Sequence, residues 1–233
     1  MIIFAVDSSS CAGSAAVYKD GTILAESFAN VGLTHSETLM VLCDEVFRRS
    51  GIGPCDVDYF AVTSGPGSFT GLRIGMGTVK GMAFATRKPC VAVPTSEALA
   101  CGLAPCDRLI VTALDARQKR VYASAFKAEG NCITQVLEDC VLTFDELFDR
   151  IKGSRVIFAG DASQLCDSAL KGRLDMVLPS AANMFVRASS VAVAANLRIE
   201  KGLICSCSEL APTYLQQAQA ERELLKKRNG EKK

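Results

Sequence analysis

The chain has one histidine, no Cys-x-x-Cys pair among its eleven cysteines, and almost no net charge. Each shortage excludes something. A single histidine leaves the usual structural zinc sets short of ligands, and the cysteine spacings do not repair this. Cys101 and Cys106 are five apart, Cys205 and Cys207 two apart, and the rest are scattered. An odd cysteine count, with a strand beginning at Met1 and no leader ahead of it, points to reduced thiols acting as small hydrophobes in a cytoplasmic protein. No apolar run approaches a membrane span, so no membrane contact is expected. Lys and Arg number 26 against 25 Asp and Glu, and Glu221 to Lys233 alone holds six basic and three acidic residues. The body is therefore near neutral and offers no electrostatic footprint for nucleic acid. A Walker A loop is missing too: Gly67-Ser68-Phe69-Thr70-Gly71 lacks the spacing and the lysine, and Leu72 stands where a lysine would be sought.

What remains is a well-cored chain of 233 residues, 49% hydrophobic, long enough for one large domain or two small ones. Short apolar runs at Ile2 to Val6, Ser14 to Tyr18 and Thr22 to Phe28 read as strands, with Asp20-Gly21 as a hairpin turn. Thr34-His35-Ser36-Glu37 fits a capping box, and Leu39, Leu42, Cys43, Val46 and Phe47 then recur at helical spacing. Strands at Tyr59 to Thr63 and Val91 to Val93 bracket a glycine-rich helix, and another helix starts at Pro94-Thr95-Ser96.

The pattern then begins again. Leu109 to Leu114, Val121 to Phe126 and Thr134 to Val136 read as strands, Phe144 to Ile151 as a helix and Val156 to Ala159 as a strand. Ala162 to Lys171 reads as a helix, Met176 to Leu178 as a strand, and Asn183 to Glu200 as a long helix stopped at Gly202. Two halves that each open on a hairpin, with an aspartate ending the first strand, suggest the two-lobed α/β fold of actin-like, sugar-kinase-like ATPases. The expected units are a lobe over 1–106, a lobe over 107–215 and a charged tail over 216–233, solvated as a fraying helix or disordered.

The densest signal is Ser64-Gly65-Pro66-Gly67-Ser68-Phe69-Thr70-Gly71-Leu72-Arg73-Ile74-Gly75. Interior glycines cost about 1 kcal/mol each relative to alanine, so something must offset Gly71, Gly75, Gly77 and Gly81. Close approach of another backbone is the physical answer. That neighbour is either this protein's own core or a partner subunit, and the spacing alone leaves both open. At the ends of the two first strands, Asp7 with Ser8, Ser9 and Ser10 has the chemistry to hold a phosphate and a hydrated divalent cation, or to satisfy a hairpin's own backbone. Asp115-Ala116-Arg117 is the matching turn, where carboxylate and guanidinium can pair to order it.

Read together with Met1 to Ser10 and Leu114-Asp115-Ala116-Arg117, the glycine-rich stretch resembles the TsaB (YeaZ) family, the bacterial accessory subunits for threonylcarbamoyladenosine in tRNA. The likeness runs in order over nearly the whole chain. It implies an actin-like fold with a degenerate nucleotide cleft, no catalytic residue and no metal. It also implies pairing with TsaD, the subunit that transfers the threonylcarbamoyl group, with the ATPase TsaE joining. Homodimerisation is expected without the partner, and tRNA contact only through the complex. Nucleotide, as ATP or ADP with magnesium, would bind at a subunit interface if at all, with Asp7, Ser8, Ser9 and Ser10 as the candidate residues. The implied partner interface uses the helices from His35 to Phe47 and from Phe69 to Ala85. Within it Gly71, Gly75 and Met76 would admit a close backbone, and Leu39, Val46, Leu72 and Val79 would supply apolar burial beside His35, Cys43 and Phe69.

Asp115, Arg117 and Tyr214 would be structural, Tyr214 lying in an element resembling the family's closing Pro-x-Tyr-Leu-Arg. Gln216 replaces that arginine, and Ala162 stands where a nucleotide-binding lobe has a glycine. The rival readings are a stand-alone ATP-dependent phosphotransferase of the same fold and a metallopeptidase homologue. TsaD-type proteins hold metal with two histidines four apart on a helix. Here the residue four after His35 is Leu39.

Overall fold

The computed structural model describes residues 1–216, so the charged tail beyond Gln216 lies outside the described residues. The first half contains β1 (Ile2–Asp7), β2 (Gly13–Lys19), β3 (Thr22–Ala29), α1 (His35–Ser50), β4 (Tyr59–Gly65), α2 (Phe69–Thr86), β5 (Cys90–Pro94) and α3 (Thr95–Cys101). The second contains β6 (Leu109–Asp115), β7 (Arg120–Glu129), β8 (Cys132–Thr143), α4 (Phe144–Ile151), β9 (Arg155–Ala159), α5 (Ser163–Leu170), β10 (Asp175–Val177) and α6 (Ala188–Glu200).

Among the described residues the strands form two five-stranded sheets, ordered β3-β2-β1-β4-β5 and β10-β9-β6-β7-β8. Read from its own first strand, each sheet has the same order. In both, the first three strands form an antiparallel meander, and two further strands add in parallel through helical crossovers. This is the repeated, two-lobed actin-like α/β architecture.

The local chemistry explains the elements. β1 and β4 lie inside their sheet and read as continuous apolar runs because both faces are covered. The hairpin turn places Asp20 and Gly21 at positive φ (47° and 90°), the conformation that Asp-Gly turns adopt. At the start of α1 the Glu37 carboxylate accepts from the Thr34 hydroxyl at 2.6 Å and the Thr34 N–H at 2.9 Å, bonds that in that order hold Glu37 below the ordinary glutamate range.

Two elements differ from their sequence pattern. β8 runs for twelve residues rather than three, because its partly exposed edge carries polar side chains that mask its length. α6 begins at Ala188 rather than Asn183, since Glu26 on β3 accepts from the backbone N–H and hydroxyl of Ser189 at 3.0 and 2.9 Å and captures its first turn.

The lobes are tied through α6. Its Val191, Ala192, Ala194 and Ala195 pack with Ile3, Ala5, Ala61 and Val91 of the first sheet. The Arg187 guanidinium bonds Glu26 at 2.9 Å, and Arg198 bonds Glu97 of α3 at 2.7 Å.

The inner face of α2 answers the question left by the glycines. A Cβ at Gly71 would collide with the Ser8 carbonyl oxygen, and one at Gly75 with the Ser8 hydroxyl. The close neighbour is the chain's own first turn. At Gly77 and Gly81, on the outer face of the same helix, a Cβ would meet nothing within 4 Å. Gly71→Ala should therefore destabilise the protein by about 3 kcal/mol through overpacking, whereas Gly77→Ala should stabilise it by about 1 kcal/mol through helix propensity. Urea unfolding of the two variants measures the contrast, and equal effects would overturn this account of the helix's two faces.

Candidate functional site

The turns that follow β1 and β6 face one another across a cleft of about 710 Å3 between the lobes. Ser9, Ser10, Cys11, Gly67, Ser68, Phe69 and Thr70 border it from the first lobe, and Leu114, Asp115, Ala116, Arg117, Asp161 and Leu165 from the second. The returning segment Thr213 to Gln216 forms a third wall.

The first turn is closed on itself. Asp7 is fully buried, and its Oδ1 accepts from the Ser9 N–H at 3.1 Å and the Thr63 hydroxyl at 2.8 Å. The Ser8 hydroxyl donates to the Gly71 carbonyl at 2.8 Å, and the Ser68 N–H donates to the Ser9 carbonyl at 2.7 Å. His35, half-buried, sets its Nε2 2.7 Å from the Ser10 carbonyl, with its ring against Gly13 and Gly71. The turn's polar groups are largely used within the fold. Asp7 Oδ2 and the Ser9 hydroxyl are buried without a hydrogen-bond partner. Burial pushes the Asp7 carboxyl above the ordinary range, against the opposing pull of its bonds to Ser9 and Thr63.

The second turn is built differently. Asp161 Oδ1 accepts from the Asp115 N–H at 2.9 Å, and Asp115 Oδ1 accepts from the Arg117 N–H at 2.7 Å. The Arg117 guanidinium lies 3.2 Å from the other Asp115 oxygen. Arg117, Gln118 and Lys119 all have positive φ (65°, 55°, 59°), a run that non-glycine residues adopt at a cost. The Asp115 bonds hold it. Asp161 is raised by burial and by the neighbouring Asp115 carboxylate. Asp115 and Arg117 thus border the cleft as an ion pair beside Asp161.

Nucleotide and magnesium are the groups the fold implies, and the residues present do not fit them at Asp7. Asp7 and Ser8 lie buried beneath the turn and brace it, while Ser9 and Ser10 border the cleft.

The expected partner interface also changes. Leu39, Cys43, Val46, Gly71, Leu72, Gly75, Met76 and Val79 are buried in this chain's own core, packed against the first sheet and the first turn, so none can line a docking face. His35 is spent on Ser10. Phe69 stacks on Tyr214 with ring centroids 4.9 Å apart, at the cleft rim. What α1 and α2 present outward is another set: Met40, Val41 and Phe84, the last 77% exposed, with Gly77 and Gly81.

Sequence reasoning also missed Arg73. Its Nε donates to the Tyr214 hydroxyl at 3.0 Å and its guanidinium lies 4.0 Å from the Phe69 ring centroid, binding α2 to a segment 141 residues away. No local signal marks such a pairing. Among the described residues no group of His, Cys, Asp or Glu side chains is placed to hold a metal ion, and no helix is long and apolar enough to cross a membrane.

Folding raises the proton affinity of Asp7, so above about pH 4 the native state binds more protons here than the unfolded chain does. The stability contributed at this site is complete below that pH and falls as pH rises. Asp7→Asn keeps an acceptor for Ser9 and Thr63 while removing the titration. Its stability relative to the native protein should therefore climb between about pH 4 and 7, read from urea midpoints. A difference independent of pH would overturn the assignment of a raised Asp7.

A family model described as "TsaD: tRNA N6-adenosine threonylcarbamoyltransferase" matches residues 26–224. The tRNA threonylcarbamoyladenosine biosynthesis protein TsaB of Bacillus subtilis is 29% identical over 167 residues, covering 71% of this chain and 73% of that one. Its Escherichia coli counterpart is 32% identical over 135 residues, covering 57% and 58%. The solved structure of YeaZ from Pseudomonas aeruginosa has a TM-score of 0.81 at 23% identity over 92% of this chain and 99% of that one. The ADPNP-bound activator of the 2-hydroxyisocaproyl-CoA dehydratase from Clostridium difficile shares the fold more distantly, with a TM-score of 0.50 at 11% identity over 87% and 97%. The chain belongs to the threonylcarbamoyltransferase family, in its TsaB (YeaZ) branch.

Proposed function

We propose that the chain is a non-catalytic subunit of the machinery that makes threonylcarbamoyladenosine in tRNA, and that it works by pairing with a TsaD-type transferase. One observation carries this reading. The first-lobe turn is sealed by α2, so Asp7 is withheld from the cleft, while the outward faces of α1 and α2 leave large apolar side chains in solvent. Chemistry is poorly provided for, and docking is well provided for.

Gly77 and Gly81 leave a smooth stretch on α2 flanked by Phe84, and Met40 and Val41 rise from α1. A helix pair from a partner can approach such a surface closely and bury the aromatic side chain. The same face would pair with a second copy when the partner is absent. In this reading the chain needs no cofactor of its own, TsaE joins the assembled pair, and tRNA is met only through the complex.

Phe84→Asp and Val41→Asp should each weaken pairing with TsaD by about 2 kcal/mol or more, roughly thirtyfold in affinity, with urea unfolding unchanged because both side chains are exposed. In a mixture of the TsaC-type synthase, TsaD, TsaE, tRNA, ATP, threonine and bicarbonate, omission of the chain should abolish modified adenosine. Either variant should depress it in proportion to lost pairing. Undiminished product without the chain would overturn the proposed function. Full pairing by both variants would place the interface elsewhere.

A further inference from the structure

After α6 the chain returns to the first lobe as a strap over residues 203–216. Cys205 pairs with Cys90 at the open edge of β5, each N–H donating to the other's carbonyl at 2.8 and 2.9 Å. Leu210 is buried, the Thr213 N–H donates to the Ser64 carbonyl at 2.7 Å, and Tyr214 lies on Phe69. The strap thereby supplies the third wall of the cleft.

Two residues that exchange both backbone bonds in an antiparallel pair have Cα atoms about 5.5 Å apart and side chains on one face. A disulfide spans Cα separations of about 4.4–6.8 Å and Cβ separations of about 3.5–4.5 Å, so closure of a hydrogen-bonded pair draws the strap in by about 1 Å. The Cys205 Sγ already lies 3.6 Å from the Cys90 carbonyl, and both side chains, with Cys207, pack against the same core cluster. Cys90 is fully buried. Cys205 borders an apolar groove of about 840 Å3 lined also by Phe84, Lys88, Cys207 and Glu209, so a small molecule can reach it. Burial and then the Glu209 carboxylate raise the Cys205 thiol, with Lys80 pulling the other way on both cysteines.

We propose that Cys90 and Cys205 form a reversible disulfide that latches the strap to the edge of the first sheet. The oxidant is a low-molecular-weight disulfide of the glutathione class. The Cys205 thiolate attacks one of its sulfurs, forming a mixed disulfide and expelling one thiol. The Cys90 thiolate then attacks the Cys205 sulfur and expels the second. The two cysteines lose two electrons and two protons, and the small disulfide gains them as two thiols. Exposure sets this order. Burial pushes the Cys90 thiol up to about 12, which makes the closing step the slow one.

The test treats the full chain with oxidised glutathione at mildly alkaline pH, blocks remaining thiols and maps the peptides by mass. The expected product joins the peptides holding Cys90 and Cys205 and releases under dithiothreitol. Cys207→Ser should keep that link, and Cys205→Ser should lose it. Cys90→Ser should leave glutathione on Cys205. Cleavage by protease within 203–216 should be suppressed in the oxidised protein and restored on reduction. A Cys205–Cys207 link, a lasting glutathione adduct on Cys205 in the native sequence, or strap cleavage indifferent to oxidation would each overturn the proposal. The native sequence and Cys205→Ser decide the matter even if Cys90→Ser disturbs the core.

Discussion

The rest of the molecule depends on the contact between the N-terminal half of α2 and the turn after β1. Gly67, Gly71 and Gly75 remove every side chain that would hold Ser8 and Ser9 away, and two hydrogen bonds, from Ser8 to Gly71 and from Ser68 to Ser9, fill the space so gained. The helix forfeits propensity at each glycine, but a hydrogen bond is worth about 1 kcal/mol and the buried alternative, an unpartnered hydroxyl or amide, is worse. Once this contact is made, Asp7 has no path to the cleft. Packing makes the acid at the end of β1 an internal brace, bonded to Ser9 and Thr63.

Much of the architecture was legible because the duplicated hairpins are local events. Asp20-Gly21, the Thr34–Glu37 cap and the β-branched runs each act within a few residues, and the second half repeats the grammar of the first. The site was less legible because small residues occur on both faces of α2. A glycine at 71 and a glycine at 77 look alike in sequence, yet one abuts Ser8 and the other faces open space. Which face turns inward is decided by where the β1 turn arrives, sixty residues earlier in the chain. The apolar stripe of α1 misled in the opposite way. Its best helical period, Leu39, Leu42, Cys43 and Val46, marks the core side, and the surface is found among the residues that break the pattern, Met40 and Val41.

Long-range ties explain the remaining differences. Glu26 sets the start of α6 from 163 residues away, and Arg73 reaches Tyr214 across 141. Both belong to an arrangement in which the C-terminal part of the chain packs on the first lobe. α6 covers the face of the first sheet opposite to α1 and α2, and the strap then pairs with β5 and runs beneath the cleft. Among the described residues, α6 and the strap thus cover the other sides of the first lobe and leave the outward faces of α1 and α2 open.

This arrangement places two demands on one helix. The inner face of α2 holds the first turn and the outer face carries the proposed docking surface, with its N-terminus, through Phe69 and Arg73, gripping the strap. A helix of eighteen residues moves as a rigid body over such distances. A partner that shifts the outer face must therefore shift Gly71 and Gly75 against Ser8, or carry the turn with it. The turn forms one wall of the cleft and the strap another, so α2 touches both walls while its outer face carries Phe84. The sealed cleft wall and the exposed helix face thus rest on different glycines of one helix, Gly71 and Gly75 for the first and Gly77 and Gly81 for the second.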